Sequence, residues 1–234
     1  MNRALWIAGS CLSIIALPAW GLAPLRLVSP LPLDAPHQKT LKRTLERAFG
    51  ALGLTFALEY APPKRALSGL LAGHYDGDVS RVADFNQAAP GAVRVAPHLG
   101  TAWFFLIGRA DDGPVPAWRQ ARQAAIAYTH GPVRLEQRAA EFAKREAAPT
   151  EGSCLRMVAA RRVRYCLLFN YLPEAWQMKE AWQGELRWRR FEPVDIYLWM
   201  APGQRDVAAA LSRQLSRMQR SGELDRLVGA YRQP

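Results

Sequence analysis

Residues that build metal sites and catalytic centres are scarce in this chain of 234 residues. It contains three cysteines, four histidines and five lysines. The histidines lie far apart in the sequence, and no cysteine or histidine pair has the spacing of a zinc site, so we expect neither metal nor cofactor. The chain also has no Gly-x-Ser-x-Gly elbow, no glycine-rich phosphate loop and no His-Glu-x-x-His. These absences make an enzyme the less favoured class.

Half of the residues are apolar and 22% are charged. This balance excludes a disordered chain, which cannot bury enough apolar surface to offset its entropy. The net charge of +11 raises the alternative of nucleic-acid binding, but the 26 arginines are scattered with no run longer than two. A nucleic-acid footprint is clustered, so we favour a general compositional bias and expect no nucleic-acid partner.

A long hydrophobic run occurs only at the N-terminus. Residues 4–25 carry no charge and follow Arg3, which is typical of a secretory signal peptide. A membrane anchor is the alternative, although prolines and glycines interrupt the run from residue 18 onward. We expect cleavage after Gly21, removal of residues 1–21, and a periplasmic or otherwise extracytoplasmic location.

Apolar periodicity predicts strands that alternate with helices. This alternation predicts parallel sheets with helical cover in two α/β units, followed by a C-terminal helix pair at 207–231. A turn-rich stretch at 109–116 separates the units. The predicted strands span 25–28, 54–60, 79–82, 93–95, 101–107, 124–129, 163–169, 188–192 and 195–200. Ser153 is the expected N-cap of a helix that reaches Arg162.

Several weak motifs occur in an order that resembles bacterial extracellular solute-binding proteins of family 3, which include the polar amino-acid receptors of ABC importers. The resemblance covers nearly the whole chain after the leader. The segments that carry it are PPKRAL at 62–67, LLAG at 70–73, DGDVSRV at 76–82, AW at 117–118, AIAYTHG at 125–131, LRMVAARRV at 155–163 and IYLW at 196–199.

The resemblance implies a two-lobed fold of the type 2 periplasmic-binding kind, with two small sheets under helical cover and a long C-terminal helical segment. Lobe one would comprise residues 22–107 with 197–234, and lobe two residues 108–196. Two crossovers, near 105–107 and 195–199, would form the hinge, and a ligand would close the cleft by a hinge motion.

The resemblance also implies a ligand-binding arginine in lobe one, and Arg81 lies at the matching place. Its guanidinium can hold a carboxylate through two parallel bonds. Ser80 and Asp78 are further ligand-binding candidates beside it. The alternative is a structural pair between Arg81 and Asp78 or Asp84. If Arg81 binds ligand, we expect Arg81→Ala to weaken binding with little loss of stability.

In lobe two, the resemblance implies that the amides of Gly131 and Val133 face the ligand anion. Pro132 between them has no N–H to contribute. The place of the aspartate that usually meets the ligand amine holds Asn170, which is neutral. These departures point to a small polar or anionic solute rather than to an ordinary α-amino acid.

The function implied is that of a monomeric, exported solute-binding protein. It would serve a membrane permease of an ABC importer or a membrane sensor. Two alternatives remain open. One is a secreted enzyme on the same scaffold, and the other is a degenerate member that binds no ligand and offers a partner surface.

Cys154 and Cys166 both survive removal of the leader. An oxidising compartment permits a disulfide between them. A helix that begins near Cys154 and a strand that returns beneath it can bring the two together. The alternative is a pair of small buried hydrophobic residues.

Overall fold

The computed structural model describes residues 23–130, 133–172, 174, 182 and 184–232. The expected leader, residues 1–21, and Gly131 lie outside this part of the chain. The described strands are β1 (Leu25–Ser29), β2 (Phe56–Tyr60), β3 (Gly77–Val82), β4 (Val93–Arg109), β5 (Ala125–Thr129), β6 (Lys144–Ala148), β7 (Tyr165–Tyr171) and β8 (Leu186–Met200). The described helices are α1 (Pro36–Gly50), α2 (Pro63–Leu71), α3 (Trp118–Ala121), α4 (Val133–Ala139), α5 (Glu151–Ala159), α6 (Arg205–Arg220) and α7 (Glu223–Val228).

The described strands form one curled sheet in the order β2-β1-β3-β8-β4-β7-β5-β6. Strand β1 pairs in parallel with β2 and β3, while β5 pairs in parallel with β6 and β7. The long strands β4 and β8 are antiparallel to each other and join these two parallel groups. The expected α/β fold with two small sheets is therefore present, with both sheets connected through β4 and β8.

Each of these long strands was predicted as two short ones. The predictions separated 93–95 from 101–107 and 188–192 from 195–200, because Pro97 and Pro193 interrupt the apolar pattern. Proline cannot donate to a sheet and is tolerated at irregular positions. The pairing of β4 with β8 shifts register between Val95 and Gly100 and again between Trp103 and Phe105. Trp103 at the second shift is the partner of Pro193.

Each lobe has a buried apolar core of its own. The first lies between the β1–β3 group and helices α1, α6 and α7. Its fully buried members from α1 and α6 are Leu45, Ala48, Phe49, Ala208, Leu211, Leu215 and Met218. The second lobe packs α4 and α5 on the β5–β7 group, around residues such as Ile126, Leu135 and Leu167.

Helix α5 differs from its prediction at both ends. It begins at Glu151 and ends at Ala159, and Thr150 is its N-cap, since the Thr150 hydroxyl accepts a bond from the Ser153 N–H at 3.1 Å. The prediction of Ser153 as the cap was wrong because a second hydroxyl three residues upstream occupies that position. Strand β6, at the edge of the sheet, was not predicted because its sequence KREAA has no apolar alternation.

A disulfide joins Cys154 on α5 to Cys166 on β7, with a Cα–Cα separation of 5.6 Å. Both residues are fully buried. The bond ties the helix to the strand beneath it.

Candidate ligand-binding cleft

A cleft of about 770 Å³ lies between the two lobes. The first lobe contributes the turn after β1, the start of α2 and the end of β3. The second contributes the starts of α4 and α5 and the end of β7. Its polar and aromatic lining includes His37, Lys64, Ser80, Arg81, Asp84, Phe85, Arg134, Glu151, Phe169, Asn170, Tyr171 and Glu174. A space of this size is typical of a small-molecule site.

Arg81 lies on the first-lobe wall in an aromatic and acidic setting. Its Nη2 donates to Asp78 Oδ2 at 2.7 Å and to the carbonyl of Pro63 at 3.2 Å. Its guanidinium carbon lies 4.7 Å from the ring centre of Phe85. Its Nε is buried without a partner in the described part of the chain. The side chain is therefore fixed in place and retains one buried donor.

Asp78 lies behind Arg81 and is fully buried. Burial raises its pKa from the usual 3.8 to about 6, and the adjacent Arg81 opposes that rise. Asp78 is absent from the cleft lining and supports Arg81 from behind, so the structure matches the alternative of a structural pair and not the expected ligand contact. This pairing also contradicts the expectation that Arg81→Ala would spare stability, because that variant would leave a buried carboxyl without its partner.

Ser80 adopts the left-handed conformation, with φ of 64°, where β3 shifts register against β8. Such a conformation is costly for a residue other than glycine and often occurs at binding sites. The Ser80 hydroxyl accepts a bond from Gln38 Nε2 at 2.9 Å, and Gln38 Oε1 in turn accepts one from Ser29. This network fixes the irregular end of β3 at the cleft wall.

Three polar side chains, Glu151, Asn170 and Glu174, line the second-lobe wall. Asn170, at the end of β7, donates through Nδ2 to Glu151 Oε1 and Oε2 at 3.3 and 3.4 Å. Glu174 follows shortly after β7, and its Oε1 lies 2.6 Å from Nδ1 of His37 in the first lobe. Val133, the first residue of α4, is exposed at the same cleft.

Burial raises the pKa of Glu151, and the negative charge of Glu174 raises it further. Burial likewise raises the pKa of Tyr171, whose ring stacks on His37 with 4.4 Å between centres. Among the described residues, no group of three His, Cys, Asp or Glu side chains is placed to hold a metal ion.

No protein-family model and no curated protein matches this sequence. Solved structures do match over nearly the full chain. A histidine kinase sensor domain with similarity to periplasmic binding proteins superposes with a TM-score of 0.72 at 17% identity, covering 92% of this chain and 99% of that one. The GluR0 ligand-binding core in complex with L-glutamate gives 0.73 at 7% identity, with coverages of 90% and 98%. The substrate-binding protein of an amino acid ABC transporter gives 0.64 at 13% identity, with coverages of 88% and 98%.

The chain has the two-lobed fold of the type 2 periplasmic-binding proteins. In this fold, the cleft is the space between the lobes. Four of the candidates from the sequence, namely Ser80, Arg81, Val133 and Asn170, line it together.

Sequence reasoning missed several residues that line the cleft. They are His37, Phe85, Arg134, Glu151 and Glu174. Phe85 is the aromatic contact of Arg81. The one sequence pattern that could have indicated Glu151 is its place directly after Thr150, which puts a carboxylate at a helix start.

Proposed function

We propose that this chain is an exported solute-binding protein that captures a small polar solute bearing an anionic group between its lobes. The observation that carries the proposal is the guanidinium of Arg81, which lines the cleft and is fixed there by Asp78 and Phe85. A guanidinium that is held by Asp78 and Phe85 is preorganised, so binding an anion costs little side-chain entropy. The ligand class that fits this site includes amino acids and other small carboxylates.

The physiological role in this proposal is delivery of the solute to an ABC importer or to a membrane sensor. The solved structures with this fold include a histidine kinase sensor domain and the substrate-binding protein of an amino acid ABC transporter. Export is inferred from the leader in the sequence. In the described residues, no helix combines the length and apolarity required to cross a bilayer.

We propose binding without catalysis. The similar structures are mainly ligand-binding proteins, although one is an ancestral amino acid-binding protein described as a precursor of cyclohexadienyl dehydratase.

The proposed lobes are residues 22–107 with 197–234 and residues 108–196. The buried side chains of β4 pass from the first core to the second between Leu99 and Ala102. Those of β8 do so between Leu198 and Ile196. The change of core on β8 supports the proposed lobe boundary near residue 197. The change of core on β4 favours a lobe boundary a few residues before 107.

Calorimetry on the exported protein tests the proposal, using a panel of L-amino acids and small mono- and dicarboxylates. We expect at least one anionic or zwitterionic compound to bind. Arg81→Lys keeps a charge beside Asp78 but loses the fork of donors, so it should weaken that binding about tenfold or more. Arg65→Ala, a change of an exposed arginine on α2, is the matched control and should bind normally. If no compound binds, or if Arg81→Lys binds as well as the parent, the proposal fails.

A further inference from the structure

The charged side chains that line the cleft are almost all paired within the chain. The pairs are Arg81 with Asp78, Arg134 with Asp84, Glu174 with His37 and Glu151 with Asn170. Lys64, exposed at the start of α2, is the one charged residue of the lining without a side-chain partner among the described residues. A buried polar group is costly to leave without a partner, so a ligand body with several polar groups would have to replace these bonds one for one.

The backbone of the first-lobe wall offers few hydrogen-bond donors. Pro30 and Pro32, in the turn after β1, have no N–H, and neither has Pro63 at the first position of α2. Leu31 lies between the first two prolines, and its N–H already donates to Ser29 Oγ at 3.1 Å. The backbone of this turn therefore has no donor left for the oxygens of a polar ligand body.

Apolar side chains occupy much of both walls. Leu31 and Leu67 contribute from the first lobe, and Val133 and Phe169 contribute from the second. Val133, at the first position of α4, is 65% exposed, although most large apolar side chains of the described chain are not. A ligand that covers such surface removes it from water, and this burial favours binding.

The cleft retains room for a sizeable ligand body although the two lobes touch. Arg134 meets Asp84 and Glu174 meets His37 across the cleft, so the lobes are not parted. The volume of about 770 Å³ lies in the upper part of the range of roughly 300–1,000 Å³ that encloses drug-sized ligands. Pockets of that kind are lined mainly by apolar side chains with a few polar groups that fix the orientation of the ligand.

We infer that the body of the solute is a hydrocarbon group seated between the turn after β1 and the start of α4, and that Val133 selects it over a polar body of the same size. This inference rests on the proposed function and narrows it, because it concerns the body of the solute and leaves the anionic group as proposed above. The paired charges, the proline-rich backbone and the exposed apolar side chains all favour such a body. The polarity expected from the sequence is then confined to the anionic end of the solute.

The experiment compares compounds that differ mainly in the polarity of the body. Cyclohexanecarboxylate is paired with tetrahydropyran-4-carboxylate, in which an oxygen replaces one ring CH₂ group, and L-norleucine is paired with L-glutamine. Binding to the full exported chain is measured by calorimetry at several temperatures. In every pair that binds, we expect the apolar member to bind at least tenfold more tightly, because the polar member buries a group without a partner. Binding of the apolar member should also show the more negative heat-capacity change, which marks apolar burial.

Val133→Thr keeps the shape of the side chain and replaces one methyl group by a hydroxyl. We expect it to weaken binding of the apolar member about three- to tenfold, because the hydroxyl would be buried against hydrocarbon, and to change binding of the polar member less than twofold.

Leu71→Asn is the matched control for this variant. Leu71 is 57% exposed on α2 and lies outside the cleft lining, so the change removes a similarly exposed apolar side chain elsewhere. It should leave the preference for the apolar member unchanged. Circular dichroism of both variants verifies that they are folded.

Each outcome separates the inference from the function on which it rests. If the polar members bind the parent as tightly as the apolar ones, or if Val133→Thr keeps the full preference, the inference is overturned while capture of an anion stands. If no member of either pair and no other small acid binds the parent, the proposed function fails and the inference fails with it.

Discussion

Asp84 Oδ2 accepts a hydrogen bond from Arg134 Nη2 at 2.7 Å, and this contact crosses the cleft. Asp84 follows β3 in the first lobe, and Arg134 lies on α4 in the second. A second contact joins His37 of α1 to Glu174 after β7 at 2.6 Å. The lobes are therefore held against each other by side chains of the chain itself, at the cleft where a ligand would bind.

The Asp84–Arg134 contact gives a first prediction about closure. The two side chains are 42% and 32% exposed, so the pair is worth only about 0.2–1 kcal/mol. Arg134→Ala should shift the ratio of closed to open forms about 1.4- to 5-fold toward the open form. Single-molecule energy transfer between dyes on the two lobes measures that ratio.

The control for this prediction is Arg122→Ala, because Arg122 pairs with Glu141 inside the second lobe. It should leave the distribution of distances unchanged. Exchanging the charges, with Asp84→Arg and Arg134→Asp together, should restore the parent ratio. An unaltered distribution in Arg134→Ala would show that this contact does not hold the lobes together.

A second prediction concerns the pH dependence of stability at Asp78. Burial raises the pKa of this carboxyl from the usual 3.8 to about 6 in the folded state. The folded chain therefore binds this proton more tightly than the unfolded chain does, and protonation favours folding. The contribution of Asp78 to stability should be greatest below pH about 4 and should decline as the pH rises through about 6.

Asp78→Asn tests this dependence because the amide cannot ionise. The Tm of the parent minus that of the variant should fall between pH 4 and pH 7 by on the order of 5 °C. Differential scanning calorimetry at the two pH values gives this difference. An equal Tm difference at both pH values would show that the pKa of Asp78 is not raised.

Much of the fold could be predicted from periodicity, because it depends on local patterns. The apolar positions Leu41, Leu45 and Phe49 recur at helical spacing and face the first core, as α1 requires. The long strands β4 and β8 could not be predicted as continuous, because Pro97 and Pro193 are tolerated only through the register shifts of their mutual pairing. That pairing joins residues far apart in the sequence.

The residues of the cleft could likewise be predicted only in part. The resemblance placed Arg81 and Asn170 at its walls, because both lie near the ends of short strands in a recognisable order. It left open whether Arg81 pairs with Asp78, and it could not reveal that Asn170 contacts Glu151, because both relations depend on side-chain directions and burial.

A third prediction concerns the N-terminus, which only the sequence addresses. Since Arg3 precedes an uncharged apolar run and small residues follow at 19 and 21, we expect export and cleavage after Gly21. Edman sequencing of protein from the periplasmic fraction should then begin at Leu22. An intact Met1 or Asn2 terminus in the membrane fraction would indicate an anchor instead.

The last prediction is that the Cys154–Cys166 bond forms in the exported protein and stabilises the second lobe. The two Cα atoms lie 5.6 Å apart, within the range that a disulfide allows, and both side chains are fully buried. The bond closes a short loop between α5 and β7, for which chain entropy predicts about 3 kcal/mol of stabilisation.

Thiol counting on exported protein, unfolded without reductant, should find no free thiol. The double variant Cys154→Ala with Cys166→Ala should lower the free energy of unfolding by about 2–4 kcal/mol, and added reductant should destabilise the parent but leave this variant unchanged. Two free thiols per chain would show instead that these residues are a pair of small buried hydrophobes.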